Sequence, residues 1–299
     1  EIDPLRGGGL QRGTPRGERK QAAAEAFLLV VGNALLDIDG CPDPPNNNKK
    51  IFVADLGCGA GNLSLPLAWW LQQQGFGGVL CVDINGRALD RLDQRAKKIG
   101  IPIRLLQEDL LSLLSHDNAT ETEHPLADCA AVVSLHACGA ASDLSMAAAI
   151  THNLPFAISP CCIGKVNTAR MPGQMPGQMP ALTSIARSSA PEEISYPRSQ
   201  WLRNVVSVEE YRLLASAADY GFGSETQEED ALILARRQRC RVAKTIVETD
   251  RLQWAQEQGY EVRMLEMPRI GPLYPKRELL LGAPQGTLAA SRIAQLPTA

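Results

Sequence analysis

The first hydrophobic pattern of length is helical: residues 20–38, KQAAAEAFLLVVGNALLDI, recur in Ala and Leu at helical spacing and predict one helix. The breaker-dense CPDPPNNNKK, 41–50, then predicts a loop. From there short apolar runs alternate with amphipathic ones. IFVADLG (51–57), GVLCVDI (78–84), IRLLQEDL (103–110), CAAVVSLHACG (129–139) and PFAISPCC (155–162) predict five strands. Helices are predicted between them over 62–74, 86–100 and 144–153, with a polar loop at 116–124. Such alternation implies right-handed crossovers and a parallel sheet covered on both faces.

The alternation lapses over 166–204, where the tandem MPGQMPGQMPA forbids regular structure and predicts a long, partly disordered insertion. SVEEYRLLASAADYG (207–221) then reads as a helix opened by a Ser cap and closed at Gly221. Residues 228–259 keep helical periodicity and predict one or two helices. YEVRMLEMP (260–268) and ELLLGAP (278–284) supply strands six and seven. The expected organisation is a disordered, basic, Gly-rich tail over 1–19, one α/β domain over 20–286 and a C-terminal tail over 287–299.

Composition narrows the class. With 44% apolar residues the chain can bury a sizeable core, and no apolar run approaches the roughly 20 residues of a membrane span. The expectation is a protein without membrane segments, and no signal peptide is visible near Glu1. Eight cysteines without a dense framework of short spacings predict free thiols in a reducing compartment, the cytoplasm. A formal charge of −3 argues against binding nucleic acid through bulk charge, so any basic face must be local.

The sharpest motif is VADLGCGAGNLSLPLA. Gly57, Gly59 and Gly61 follow a strand and open a helix, allowing a tight turn and a close backbone approach to a ligand. Asp55 stands ready to accept hydrogen bonds at the strand end. Asp83 closes the second strand, where a carboxylate can hold both hydroxyls of an adenosine ribose. Asp109, just past the third strand, is placed for the adenine amino group. The spacing is G-x-G-x-G, and the third glycine of a dinucleotide fingerprint would fall on Asn62, which does not suit a hydride-transfer cofactor.

DLGCGAG with Asp83 and Asp109 resembles the cofactor site of class I S-adenosylmethionine-dependent methyltransferases. SLHACGAASD (134–143), PCCIGK (160–165), YPRSQWL (196–202), AADYG (217–221), RCRVAKTIVETDR (239–251) and PKRELLLGAP (275–284) are similar to the methyltransferase-like domain of glutathione S-transferase C-terminal domain-containing proteins. His-x-Cys-Gly and Cys-Cys also resemble, more distantly, pieces of eukaryotic ribose methyltransferases acting on the tRNA acceptor stem. The paired cysteine-histidine zinc modules of those tRNA enzymes are missing, and so is a glutathione-transferase-like domain. The resemblance implies a Rossmann-like seven-stranded, mostly parallel sheet, S-adenosylmethionine as cofactor and methyl transfer to RNA, a tRNA ribose hydroxyl among the candidates. A scaffold that keeps the pocket without catalysis, or transfer to a protein or small molecule, stays open.

Several roles compete where SLHACG and SPCC end their strands. His136 can act as general base or orient the acceptor, its ordinary pKa of roughly 6.5 suiting proton uptake near neutrality. Cys161 or Cys162 can serve as a nucleophile if its thiolate is stabilised. His136, Cys138, Cys161 and Cys162 are zinc-ligand types, although neighbours on an extended segment face opposite ways. They can equally line the pocket as small residues, with Asp143 capping a helix from Leu144. Arg236, Arg237, Arg239, Arg241, Lys244 and Arg251 form the densest basic run, either a solvated helix face or a set of RNA phosphate contacts. Arg12, Arg16, Arg19 and Lys20 can add to it, and Trp201, Tyr196 and Tyr211 are the available stacking platforms.

Overall fold

A computed structural model describes residues 13–36, 51–114, 124–163, 194–219, 231–267 and 277–297, without the side chains of Pro15, Arg16, Arg19, Cys161, Cys162 and Ala231. The predicted insertion up to 193, Gly164, Lys165, Gly221 and the loop at 41–50 lie outside these residues.

Seven strands form one sheet: β1 (Phe52–Leu56), β2 (Gly78–Asp83), β3 (Ile103–Gln107), β4 (Cys129–Cys138), β5 (Phe156–Cys162), β6 (Tyr260–Glu266) and β7 (Glu278–Pro284). Their order is β3-β2-β1-β4-β5-β7-β6. Strands β1 to β5 run parallel, and β7 inserts antiparallel between β5 and β6. The chain winds outward from β1 to β3 and then returns to lay β4 on the other side of β1. A doubly wound sheet opens its crevice at that reversal, outside the carboxyl ends of β1 and β4.

Period-two alternation sorts the strand residues between two cores. Val53, Val79, Val133 and Leu281 face one side with α1 (Pro15–Val30), α2 (Ser64–Gln73), α3 (Gly86–Ile99) and α9 (Leu288–Ala294). Phe52, Ala54, Leu56, Val132 and Ile158 face the other with α5 (Ala140–Thr151) and α8 (Ala231–Glu257). Every residue of β1 is buried, as expected of a central parallel strand covered on both faces. α3 buries only Leu89, Leu92 and Ala96, a stripe at helical spacing, between an Asn85 cap and Gly100 in the left-handed conformation. A short α4 (Leu110–Leu114) starts where strand three was expected to end. α6 (Gln200–Arg203) and α7 (Val208–Ala218) pack with α8 around a third cluster that includes Tyr196, Tyr211 and Val247. A reciprocal Ser207–Glu210 capping box opens α7.

Several expected boundaries are refined, and the cap expected of Asp143 is corrected. α1 begins at Pro15 behind a Thr14 cap, so part of the predicted N-terminal tail is helix. The predicted C-terminal tail contains α9, whose Ala290 and Ile293 are buried and whose Arg292 donates to the Leu36 carbonyl at 2.6 Å. The end of the predicted insertion is packed: Ile194, Tyr196, Arg198 and Ser199 are buried. Helix α5 starts four residues before Leu144 at an N-cap Gly139, so Asp143 sits inside its first turn and is not its cap.

The antiparallel insertion of β7 brings Gly282 under the Phe156 ring, where an added Cβ would come within 2.3 Å of Cζ. Phe156 is fully buried and stacked on Tyr260 at 5.8 Å, so it has nowhere to swing. Gly282→Ala is expected to cost about 1–3 kcal/mol by overpacking; urea unfolding checks this, and an unchanged midpoint would contradict the packing.

Candidate active site

The glycine turn folds back over the end of β2. The Gly57 and Cys58 amides both donate to the Val82 carbonyl, at 2.8 and 3.1 Å. Gly57, Gly59 and Gly61 have φ of 78°, 55° and 79°, a region that side chains other than glycine's seldom adopt. A Cβ at Gly57 or Gly59 would meet no atom within 4 Å, so the backbone there borders open space. At Gly61 a Cβ would meet Leu92 Cδ1 at 2.2 Å; this glycine serves the packing of the turn on α3. Arg95 on the same helix donates to the Ala60 carbonyl and holds the turn from outside.

The three carboxylates do different work. Asp83 Oδ2 accepts from the Gly59 amide at 2.7 Å and Oδ1 from the Asn85 amide at 2.8 Å. The half-buried group is thereby fixed at the lip of the crevice, and each oxygen keeps a lone pair for another donor. Asp109, exposed, lies two residues past Gln107, the β3 partner of Asp83. Its Oδ1 accepts from the Leu111 amide at 2.8 Å, opening α4, which leaves Oδ2 toward solvent. Asp55 is 1% exposed and accepts from Ser64 Oγ at 2.6 Å. Burial pushes its pKa up to about 7, against the Ser64 hydrogen bond and with a smaller push from the Asp83 charge. Asp55 therefore ties β1 to the start of α2 beneath the turn and does not border the open space.

Across the crevice, β4 runs past β1 and pairs with β5, where the register passes from Leu135↔Ser159 to Ala137↔Pro160 and then Cys138↔Cys162. His136 and Cys161 fall in these irregularities. His136 has φ of 63°, uncommon for a residue with a side chain, and a bulge of this kind re-aims the side chain it carries. The Cys138 thiol turns back to the His136 carbonyl at 3.4 Å. The HACG and PCC motifs are thus joined on adjacent strand ends beside the glycine turn. Among the described residues no group of three or more His, Cys, Asp or Glu side chains is arranged to hold a metal ion.

Unforeseen in the sequence is a buried ionic cluster behind this turn. Arg251, fully buried, donates to Asp143 through Nε at 3.1 Å and Nη2 at 2.8 Å, to the Gly139 carbonyl at 3.2 Å and to Glu248 at 3.2 Å. The Tyr196 hydroxyl donates to Asp143 at 2.8 Å, and Arg198 lies 3.6 Å from it, stacked 3.8 Å over the Trp254 ring. Lys244 is likewise buried between Glu248 and Glu278, at 3.3 and 2.5 Å. Lys244 and Arg251 are consequently withdrawn from the predicted basic face, leaving Arg236, Arg237, Arg239 and Arg241 in exposed or half-buried positions. Those four precede Arg251 by 10–15 residues, roughly 15–22 Å of helix. α8 runs down into the start of β6, and Arg251 already reaches Gly139, so the run projects past the carboxyl edge of the sheet. α1, with Lys20, packs on the opposite face from α8. Tyr196 and Tyr211 are buried and stacked on each other at 5.4 Å, leaving Trp201, 47% exposed, as the accessible platform of the three.

A family model described as a methyltransferase domain matches residues 19–169. A glutathione S-transferase C-terminal domain-containing protein of Xenopus laevis is 26% identical over 272 residues, 90% of this chain and 35% of its own length. The Drosophila melanogaster homolog is 28% identical over 149 residues, 50% of this chain and 21% of its own. The chain thus spans about a third or less of these relatives. Among solved structures, the methyltransferase domain of bacterial CtHen1 is 16% identical with a TM-score of 0.41, covering 88% of this chain and 98% of that one. An S-adenosylmethionine-dependent methyltransferase from Clostridium acetobutylicum is 15% identical with a TM-score of 0.31, covering 50% and 53%.

Proposed function

The chain belongs to the methyltransferase-domain family, a class I S-adenosylmethionine-dependent fold, and from that premise we propose that it transfers the methyl group to RNA, a ribose 2'-hydroxyl being the favoured acceptor. The residues present fit the cofactor: open space beside Gly57 and Gly59, and a fixed Asp83 carboxylate with lone pairs to spare. Asp83 would hold the ribose hydroxyls, Asp109 the adenine edge, and the glycine turn would border the cofactor closely. When bound, the cofactor supplies an electrophilic methyl group.

The protein's remaining tasks are orientation and proton removal. His136, on its bulge across the crevice from Asp83, is the group we assign to accept or steer the acceptor's proton. Cys161 keeps its place as a candidate on the adjoining strand end, as wall or nucleophile. The observation that carries RNA as acceptor is the arginine run on α8 beyond the carboxyl edge, which suits phosphate contacts flanking the crevice. Trp201 offers an exposed ring.

The test is radiolabelled methyl transfer to separated RNA, protein and metabolite fractions. Label is expected in RNA, and its transfer should weaken with salt. Arg236→Glu with Arg239→Glu is expected to raise the KM for RNA about tenfold and flatten the salt slope. His136→Ala is expected to lower kcat about 100-fold with cofactor affinity intact. Label in protein or metabolites would overturn the RNA reading, and label in no fraction would favour a scaffold.

A further inference from the structure

The turn that carries His136 is held only in part by its own strand and helix: β4 regains pairing with β5 at Ala137 and Cys138, and Ser142 Oγ donates to the Ala137 carbonyl at 2.9 Å. β4 leaves regular pairing at Leu135, His136 and Gly139 both take positive φ, and the following helix starts without a side-chain cap. A second, long-range grip on the turn comes from 112 residues away in sequence: Nη2 of Arg251 donates to the Gly139 carbonyl and to Asp143 in the first turn of α5. The preceding residue on α8, Asp250, grips a second segment. It accepts from the Arg198 and Ser199 amides at 2.7 and 2.9 Å and from Ser199 Oγ at 2.6 Å. The two segments also meet directly, since Tyr196 donates to the same Asp143 carboxylate. None of these side chains is more than 5% exposed.

We infer that Arg251 is a positioning residue for methyl transfer: its guanidinium fixes the His136–Gly139 turn, and through the shared Asp143 carboxylate sets that turn against the 194–199 segment. This inference rests on the role proposed for His136. A guanidinium suits the task because its planar fork meets Asp143 with two donors while a third N–H reaches a carbonyl. An ammonium keeps the charge but cannot span the three acceptors. Arg251→Lys therefore separates geometry from charge. A merely structural role would predict that any equal loss of stability impairs transfer equally. Gly282→Ala, which strains β7 against the opposite end of β5, supplies that control.

The experiment compares wild type, Arg251→Lys and Gly282→Ala in three readouts: cofactor affinity, kcat and KM for transfer, and amide hydrogen exchange over residues 136–143. Arg251→Lys is expected to keep cofactor affinity within about threefold, lower kcat tenfold or more with KM little changed, and speed exchange in the turn selectively. Gly282→Ala is expected to leave kcat and local exchange near wild type at a temperature where both variants are folded. Equal loss of kcat in the two variants, or wild-type kcat and exchange in Arg251→Lys, overturns the inference. If the wild type transfers no methyl group to any acceptor, the proposed function fails, and the exchange comparison alone decides whether Arg251 holds the turn.

Discussion

Replacing Arg251 with alanine is expected to destabilise the folded chain by about 3–5 kcal/mol, the cost of removing one member of a buried ion pair. Two carboxylates, Asp143 and Glu248, would lose their nearest cation while remaining fully buried. Burial works against the Arg251 charge, and the attraction of Asp143 and Glu248 more than offsets it, holding its pKa well above the ordinary value. The Tyr196 hydroxyl and Arg198 stay near Asp143 and soften the loss, but among the described residues Glu248 keeps Lys244 alone. For a chain of this size the melting temperature should fall by on the order of 10 °C. A cost below about 1 kcal/mol would mean that the cluster is hydrated and that Arg251 is not a buried clamp. Asp143→Ala tests the same cluster from the other side and should lie in the same range.

The second large effect is a pH dependence. Asp55 has its folded pKa raised to about 7 from an ordinary 3.8, so the fold favours its protonated form. Stability from this group is fully present below about pH 4 and is lost as pH rises through about 7. The whole swing is on the order of 4 kcal/mol, of which roughly 3 kcal/mol falls between pH 5 and pH 8. Asp250, whose pKa burial also raises against its hydrogen bonds to Ser199 and Arg198, adds in the same direction. Asn in place of Asp55 keeps an acceptor for Ser64 Oγ without the charge. Urea unfolding of Asp55→Asn across that range should show a profile flatter by roughly 3 kcal/mol and a gain over wild type at pH 8. A wild-type stability that rises from pH 5 to pH 8 in step with the variant would contradict the assignment.

The strands were legible because a central parallel strand must be apolar on both faces, and VADL or GVLCV can bury itself no other way. The glycine turn was legible because its positive φ angles and close approach leave glycine little competition. The cluster behind His136 was not. Asp143 looked like a cap because Asp favours caps, and only the fold reveals that Arg251, 108 residues on, claims it. Lys244 and Arg251 counted as basic face for the same reason: sequence records a charge but not its partner, and their burial follows from the packing of α8 against α5 and β6. α9 was missed because its buried positions, Ala290 and Ile293, are too few to set a period. Asp55 was placed correctly at a strand end, and its sealing beneath the turn depends on Ser64, which carried no signal alone.

Isothermal titration of S-adenosylmethionine into the wild-type chain and into Asp83→Ala reads the central claim directly. Saturable one-to-one binding by wild type is expected, with a loss of tenfold or more in Asp83→Ala, since hydrogen bonds to a charged group contribute roughly 1.5–3 kcal/mol. Circular dichroism would show that the variant remains folded. No binding by the folded wild-type chain, or equal affinity in the two proteins, would contradict a cofactor held at the carboxyl ends of β1 and β2.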